Sequence, residues 1–336
     1  MFRKTLYSVI FALFVGFFIF NQESIRFEGG KLPERELSQK VDFIVTGDIM
    51  LGRFVEVLID GNGEGYPFGG VKDFLKSTDF VVGNLEGPIV SNHTPTPSFG
   101  FGFSFASTTV RILKENNISL VSLANNHTLD QKDKGFIETQ NYLRGSDIEY
   151  FGHPVQVGEI SVLRKTVADK GFVFIGLNAT WKFEEKQYEE LIKKESDNSD
   201  FLAVIIHWGD EYETSSNKSQ KELARMFIDT GADVVFGHHP HVVQEVELYK
   251  NKPIFYSLGN FIFDQYFSKD VKEGLLVKVL LKNEQITYEL FPVISPRSQP
   301  SLMEGNTRDN FLMSLSDRSS STLKKEIQQG IFTLSN

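Results

Sequence analysis

The chain has 336 residues, 35 Lys+Arg against 44 Asp+Glu for a formal net charge of -9, and no cysteine. Its length holds one large domain or two ordinary ones, and its composition is that of a folded globular protein. The acidic balance argues against a nucleic-acid partner bound by phosphate neutralisation; the missing cysteine excludes disulfides, thiolate metal sites and lipoprotein-type lipid attachment.

At the N-terminus, Arg3 and Lys4 precede an uncharged run, Thr5 to Phe20, rich in Phe, Val, Ile and Leu. As helix the run spans about 24 Å at about 1.5 Å per residue, slightly short for a bilayer core. Basic flank, apolar run and polar Asn21-Gln22-Glu23 predict a signal anchor over 1–20. No small-x-small cleavage pattern follows Phe20. The expectation is therefore a single-pass anchor in the cell membrane with the domain outside, the alternative being secretion after cleavage. Residues 21–40 are polar, carry Gly29-Gly30 and Pro33, and read as a linker.

From Val41 apolar runs alternate with helical patterns. Val41–Thr46, Asp79–Val82, Ile118–Leu123, Ile148–Phe151, Phe172–Gly176, Phe201–Ile206 and Asp233–Phe236 read as strands. Between them, Phe54–Ile59, Val71–Lys76, Ala106–Asn116, Lys134–Arg144, Glu184–Glu195 and Ser219–Asp229 read as helices. Strands only then follow: Val242–Leu248, Ile254–Leu258, Leu275–Leu281 and Ile286–Phe291, with a turn at Asn251-Lys252. This order predicts a mixed α/β domain over 41–294 with two sheets or one large mixed one. From Ser295 the composition turns to Ser, Pro, Asn and charge, so 295–336 reads as a polar tail, with at most a weak helix over Phe311–Ile331.

Polar residues fall where the strands stop. Five apolar runs end in side chains able to bind a metal: Asp48, Glu86, Asn126-His127, His207, and His239 with His241. Gly237-His238-His239-Pro240-His241 alone gathers three of the seven histidines on one turn. Carboxyl ends of strands in open α/β sheets border the site crevice, so residues far apart in sequence converge there. Neutral imidazoles, an amide oxygen and carboxylates suit divalent ions such as Mn, Fe or Zn. Two such ions need carboxylates to offset their repulsion, for which Asp48 and Glu86 are the candidates, and a hydroxide held between them forms near neutral pH. His127 could move a proton and Arg53 could meet an anionic substrate through its planar fork.

Plainer readings stand beside these. Asp48 could cap a helix, and Glu86 and Asn126 could be turn residues, because such types terminate strands routinely. His127 and His207 could be packed histidines, and Arg53 an ordinary ion-pair partner. Asp210 and Glu211 read as a loop carboxylate pair, Asn260 as structural, and His238 as a residue behind the ligands or on the surface. The loop Pro95–Phe105, alternating Phe with Gly and Ser, reads as packed and Gly-hinged, with a lid or polymer-contact surface as the alternative.

The blocks Gly47–Arg53, Gly83–Pro88, Asn125–Asp130, His207–Tyr212, Gly237–His241 and Tyr256–Phe261, in this order over roughly Val41 to Ile294, resemble the signature of the CapA family. These are the capsule or poly-γ-glutamate synthesis proteins. The resemblance implies a calcineurin-like metallophosphatase fold, a four-layer αββα sandwich, on an N-terminal membrane anchor. It implies a part in making, exporting or anchoring a poly-γ-glutamate-type anionic polymer, beside membrane-bound synthase components. On the wider metallophosphatase pattern, Asp48 matches the first metal-binding aspartate and Asn126-His127 the Asn-His pair. His207 matches the isolated histidine, and His239 and His241 the final His-x-His. The chain departs from that pattern at Met50, where a histidine is usual, and at Asn84, where a bridging aspartate is usual; Glu86 is expected to take the bridging role. The missing histidine leaves open whether the centre acts as a metal-dependent hydrolase or transferase, or binds polymer without turnover.

Overall fold

A strand buried on both faces needs an unbroken apolar run, whereas one with a single buried face alternates. The computed structural model describes residues 40–97 and 100–335. β1 (Lys40–Ile49), β2 (Phe80–Leu85), β3 (Ile118–Ser122) and β4 (Glu149–Phe151) pair in parallel, in that order. They join the later antiparallel β12 (Glu273–Lys282), β13 (Gln285–Ile294) and β14 (Ser301–Leu302) in one sheet of order β14-β13-β12-β1-β2-β3-β4. β11 (Asn260–Ile262) pairs with β1, and β15 (Ile331–Ser335) with β13. The second sheet has the order β5-β6-β7-β8-β10-β9, built from β5 (Val162–Val167), β6 (Lys170–Asn178), β7 (Phe201–His207), β8 (Val234–His238), β9 (Val246–Tyr249) and β10 (Lys252–Phe255).

Alternation along the buried strands sorts side chains between two cores. From β1, Phe43 and Val45 face the second sheet, whose Phe172, Phe174, Phe201, Ile205 and Phe236 meet them. Phe43 stacks on Phe80 at 4.9 Å and meets the edges of Phe172, Phe174 and Phe201 at 6.2, 5.7 and 5.9 Å. Ile44 and Val81 point the other way, onto Val55 of α1 (Arg53–Asn62), Leu75 of α2 (Lys72–Leu75), Leu113 of α3 (Thr109–Glu115) and Phe136 of α4 (Lys132–Gly145). Behind the second sheet, Val204 and Ile206 pack with Ile192 of α5 (Glu185–Ser196) and Phe227 of α6 (Lys218–Thr230). Two sheets face each other, with helices on both outer sides.

The structure departs from the sequence reading in four places. β5, an unforeseen strand, is a half-exposed edge with Arg164 and Lys165 in its middle, so its apolar signal is weak. The expected strand Ile254–Leu258 ends at Phe255; Tyr256 to Gly259 carry the chain to the first sheet, where Asn260 pairs with Asp48. The hairpin before it turns at Lys250 and Asn251, both at positive φ, one residue earlier than expected. Most visibly, 295–335 is not a tail. β14, α7 (Gly305–Arg318), α8 (Lys324–Gln329) and β15 are folded with the domain, and Phe311, Leu312, Leu315, Leu323, Ile327 and Phe332 enter the core between the sheets. The composition hid this because a few apolar residues, correctly spaced, hold a segment whose other positions are polar.

The expected anchor at 1–20, and the linker but for Lys40, lie outside the described residues; among the described residues no helix is long and apolar enough to cross a membrane. If the C-terminal helix belongs to the core, Leu312→Ala, which empties a fully buried site, costs about 2–5 kcal/mol in chemical denaturation. A tail residue would cost almost nothing.

Candidate metal centre

Parallel pairing brings the strand ends to one rim. In register, Asp48 lies beside Asn84, Asn84 beside Ser122, and His207 beside His238. The two sheets are tied at this rim by His238, whose Nε2 donates to the Thr46 carbonyl at 2.9 Å. Glycine lets the connecting segment Tyr256–Gly259 lie against both sheets: a Cβ on Gly47 of β1 would sit 2.1 Å from the Gly259 carbonyl oxygen, and one on Gly237 of β8 1.9 Å from that of Tyr256. His238 is thus a buried fastening behind the ligand turn and not a surface residue.

Asp48, Glu86 and His241 form one group, with a ligand atom from each within 4.8 Å of the others. Asp48 Oδ1 accepts from Asn84 Nδ2 at 2.8 Å, and Oδ2 from the His239 backbone N–H at 3.3 Å. His241 Nδ1 lies 3.0 Å from Asn260 Oδ1 and 3.4 Å from Asp48 Oδ2, which leaves its Nε2 toward Glu86 Oε1 at 3.9 Å. Asn260 therefore does the structural work expected of it, by setting the face of a ligand. Glu86 is 0% exposed and neither of its carboxylate oxygens has a hydrogen-bond partner.

A second group is Glu211, His239 and His241, again within 4.8 Å. His239 is 8% exposed, its Nδ1 has no partner, and its ring lies 4.7 Å from that of His207. His207 Nδ1 accepts from Asn84 Nδ2 at 3.3 Å, so its Nε2 carries the hydrogen and donates to Asn126 Oδ1 at 2.9 Å. Asn84 also accepts from Asn125 at 3.1 Å; it is a fully engaged neutral hub where a bridging carboxylate would be charged. Met50, at the usual histidine position, is buried with the apolar residues under α1.

Charge at the rim is short on the positive side. Burial, then the Asp48 carboxylate, pushes Glu86 well above the ordinary range. Burial alone would lower His241, but Glu86, Asp48 and Glu211 outweigh it and raise it to about 9. Burial and the neighbouring His241 depress His239 to about 4, while burial and His239 push His207 well down. Asp48 stays low despite burial because His241, His238 and Asn84 favour its anion. The donor set fits divalent cations: the Glu86 carboxylate without partners, the His239 imidazole with an open nitrogen, and an amide oxygen.

His127 and Arg53 stand beside the ligands. His127 Nδ1 is 2.8 Å from Asp130 Oδ2, which also accepts from the Phe103 backbone N–H at 2.6 Å. The ring stacks on Phe103 at 3.9 Å and turns Nε2 toward Glu86 Oε1 at 3.9 Å. Arg53, at φ 50°, is ion-paired with buried Asp264 and lies over Phe103 and Phe263. Its fork is engaged by the protein, as the ion-pair reading has it. Sequence reasoning missed Asp130, inside the Asn125–Asp130 block, and gave Glu211 no role. The signal for Glu211 was its place in the block that opens with His207.

A two-sheet α/β fold with carboxylates, imidazoles and a carboxamide gathered at one strand rim defines a metallophosphatase-fold protein with a candidate metal centre. A solved structure described as a novel phosphatase from Mycoplasma pneumoniae shares the fold at a TM-score of 0.52 and 17% identity, over 77% of this chain and 96% of that one. The family model described as "Bacterial capsule synthesis protein PGA_cap" matches residues 42–265, and the chain belongs to that family. It is 32% identical over 268 residues to the capsule biosynthesis protein CapA of Bacillus anthracis, covering 73% of this chain and 65% of that protein. Against the PGA biosynthesis protein CapA of Bacillus subtilis (strain 168) it is 29% identical over 265 residues, covering 74% and 70%. The chain thus spans about two thirds of the length of these relatives.

The metal-free chain should titrate accordingly. His241, raised to about 9 from 6.5, contributes stability that is complete below pH 6.5 and lost as pH rises through 9. His239, held down to about 4, makes acidification from pH 6.5 toward 4 costly. Imidazole NMR titrations check both: Glu86→Gln should bring the His241 midpoint down, and a wild-type His241 midpoint at 6.5 would contradict this electrostatic picture.

Proposed function

We propose that the protein serves the biosynthesis, export or anchoring of a poly-γ-glutamate-type capsular polymer outside the cytoplasmic membrane, held there by its N-terminal segment beside membrane-bound synthase components. The family supports the capsule role. The metal centre rests on one observation: the Glu86 carboxylate is sealed from water, both oxygens are bare, and Asp48 and His241 stand next to it. An ionised carboxylate in that state is costly unless a cation meets it.

In this reading Asp48, Glu86 and His241 hold one divalent cation, and Asn126, His207 and His239 face a neighbouring position. A bound cation supplies Lewis-acid polarisation of a substrate oxygen and acidifies water. The chain's own residues do the rest. Asp130 keeps the His127 hydrogen on Nδ1, so Nε2 is free to take or return a proton at the reacting group. Phe103 holds that ring in plane. Arg53 acts by position: with Asp264 and the Gly100 carbonyl it fixes the loop that carries Phe103. Phe101, 91% exposed, and the Tyr212–Phe267 pair, 5.1 Å apart, give the rim an aromatic border along which a polymer could lie. Asn84 and Met50, in place of charged or ligating residues, weigh against an ordinary secreted phosphoesterase.

The full chain should carry divalent metal, and Glu86→Gln should weaken its binding about 10–100-fold or more. In cells whose own copy is replaced, the same variant should stop polymer production at unchanged protein level. His127→Ala should retain metal and still lose polymer; intact polymer in that variant would make the centre a binding site rather than a catalytic one. A wild-type chain without metal affinity would remove the metal from the reading altogether.

A further inference from the structure

We propose that Glu211 is the charged ligand of a second, solvent-facing cation position formed with His239. The inference rests on the metal-centre reading above and adds to it a residue that the superfamily pattern does not supply.

The argument is one of charge. Beside His239 stand His207, its ring 4.7 Å away, and Asn126, hydrogen-bonded to His207, and as ligands all three are neutral. Asn84, which stands where a bridging carboxylate is usual, is neutral too, and its amide is spent on Asp48, His207 and Asn125. Glu86 groups with Asp48 and His241. A divalent cation held by neutral ligands alone in a mostly buried pocket keeps its full charge against a low dielectric. Glu211 corrects this: its carboxylate joins His239 and His241 within 4.8 Å. Independently, His239 is more than nine-tenths buried, and its Nδ1 has no hydrogen-bond partner.

The loop holds Glu211 in place from both sides. Asp210 Oδ2 accepts from Asn217 Nδ2 at 2.7 Å. The Tyr212 backbone N–H donates to the Pro240 carbonyl at 2.8 Å, which ties the loop to the histidine turn itself. Gly209 and Tyr212 both take positive φ, so the chain doubles back over the imidazoles. Glu211 is exposed where Glu86 is sealed. The two positions are therefore unequal: the inner one is closed and tight, the outer one open and exchangeable.

Calorimetric titration of the metal-free full chain with Mn2+ tests this, alongside metal content after dialysis. Wild type should show a tight and a weaker class of site. Glu211→Gln should weaken the second class about tenfold or more and leave the first unchanged, as judged against ligand-shell losses in metal sites. Glu213→Gln, which alters charge on the same loop at an exposed side chain, should leave both classes unchanged. The proposal is overturned if Glu211→Gln titrates like wild type, if it loses the tight class in a chain whose circular dichroism is native, or if Glu213→Gln has the same effect. A wild type that binds no Mn2+ sinks the metal-centre reading itself, an outcome distinct from the failure of Glu211.

Discussion

A carboxylate closed off from water, with neither oxygen hydrogen-bonded, is a debt that the surrounding structure has to settle. Glu86 can do so by taking a proton, by facing a charged imidazole, or by meeting a cation. The shifts at the rim bear on the first two: Glu86 and His241 both hold protons more tightly than usual. Two carboxylates, Asp48 and Glu86, share the pocket with imidazoles that burial keeps neutral at His207 and His239. The pocket therefore favours positive charge, which protonated His241 supplies in part and a divalent ion, under the reading proposed above, would supply in full.

Such a pocket survives only on a stiff frame. Asp48 binds the turn that carries the histidines through the His239 N–H, so one carboxylate is both a ligand candidate and a backbone clamp. His239 and His241 have φ of 96° and 59°, conformations that side chains avoid without compensation. Compensation comes from outside the turn: His238 bonds across to Thr46, His241 to Asn260, and Gly47 lets β1 abut Gly259. The two histidine contacts join the turn that ends the second sheet's β8 to the first sheet, and the glycine contact seats the connecting chain on β1. The aromatic core around Phe43 presses the sheets together below, and the histidine turn is fixed at their common edge.

Much of this was legible because strand ends are legible. An apolar run that stops at Asp48, at Glu86 or at His207 announces both the strand and the polar residue left at its mouth, and parallel pairing then brings the mouths together. What stayed hidden depends on contacts with no local signature. Glu211 sits on an exposed loop whose path is set by a bond to Pro240, far along the chain, so beyond its place in the block that opens with His207 nothing near it separates a ligand from a solvated acid. Arg53 looked available because Asp264, which takes its guanidinium, comes after the histidine cluster in a different block. The C-terminal helices were obscured by composition: Leu312, Leu315 and Ile327 are buried among serines, lysines and glutamines that face water. β5 was missed for the corresponding reason at a sheet edge, where half the positions need not be apolar.

The exchange of a charged bridge for Asn84 has a consequence for how the rim meets an anion. A carboxylate between two cations lowers their repulsion wherever they sit; a neutral amide does not. Under the two-cation reading proposed above, Asp48 and Glu86 would offset charge on one side and Glu211 on the other, with the neutral Asn84 where a bridging carboxylate would stand. Any anionic group placed between the two cations would replace the missing charge, and a polymer of carboxylates brings such groups at every repeat. The net charge of -9 disfavours a polyanion, so capture under that reading would be local, at the cations. There, a centre of this kind would gain affinity for an anionic ligand from the same residue change that makes it a poorer match to an ordinary phosphoesterase.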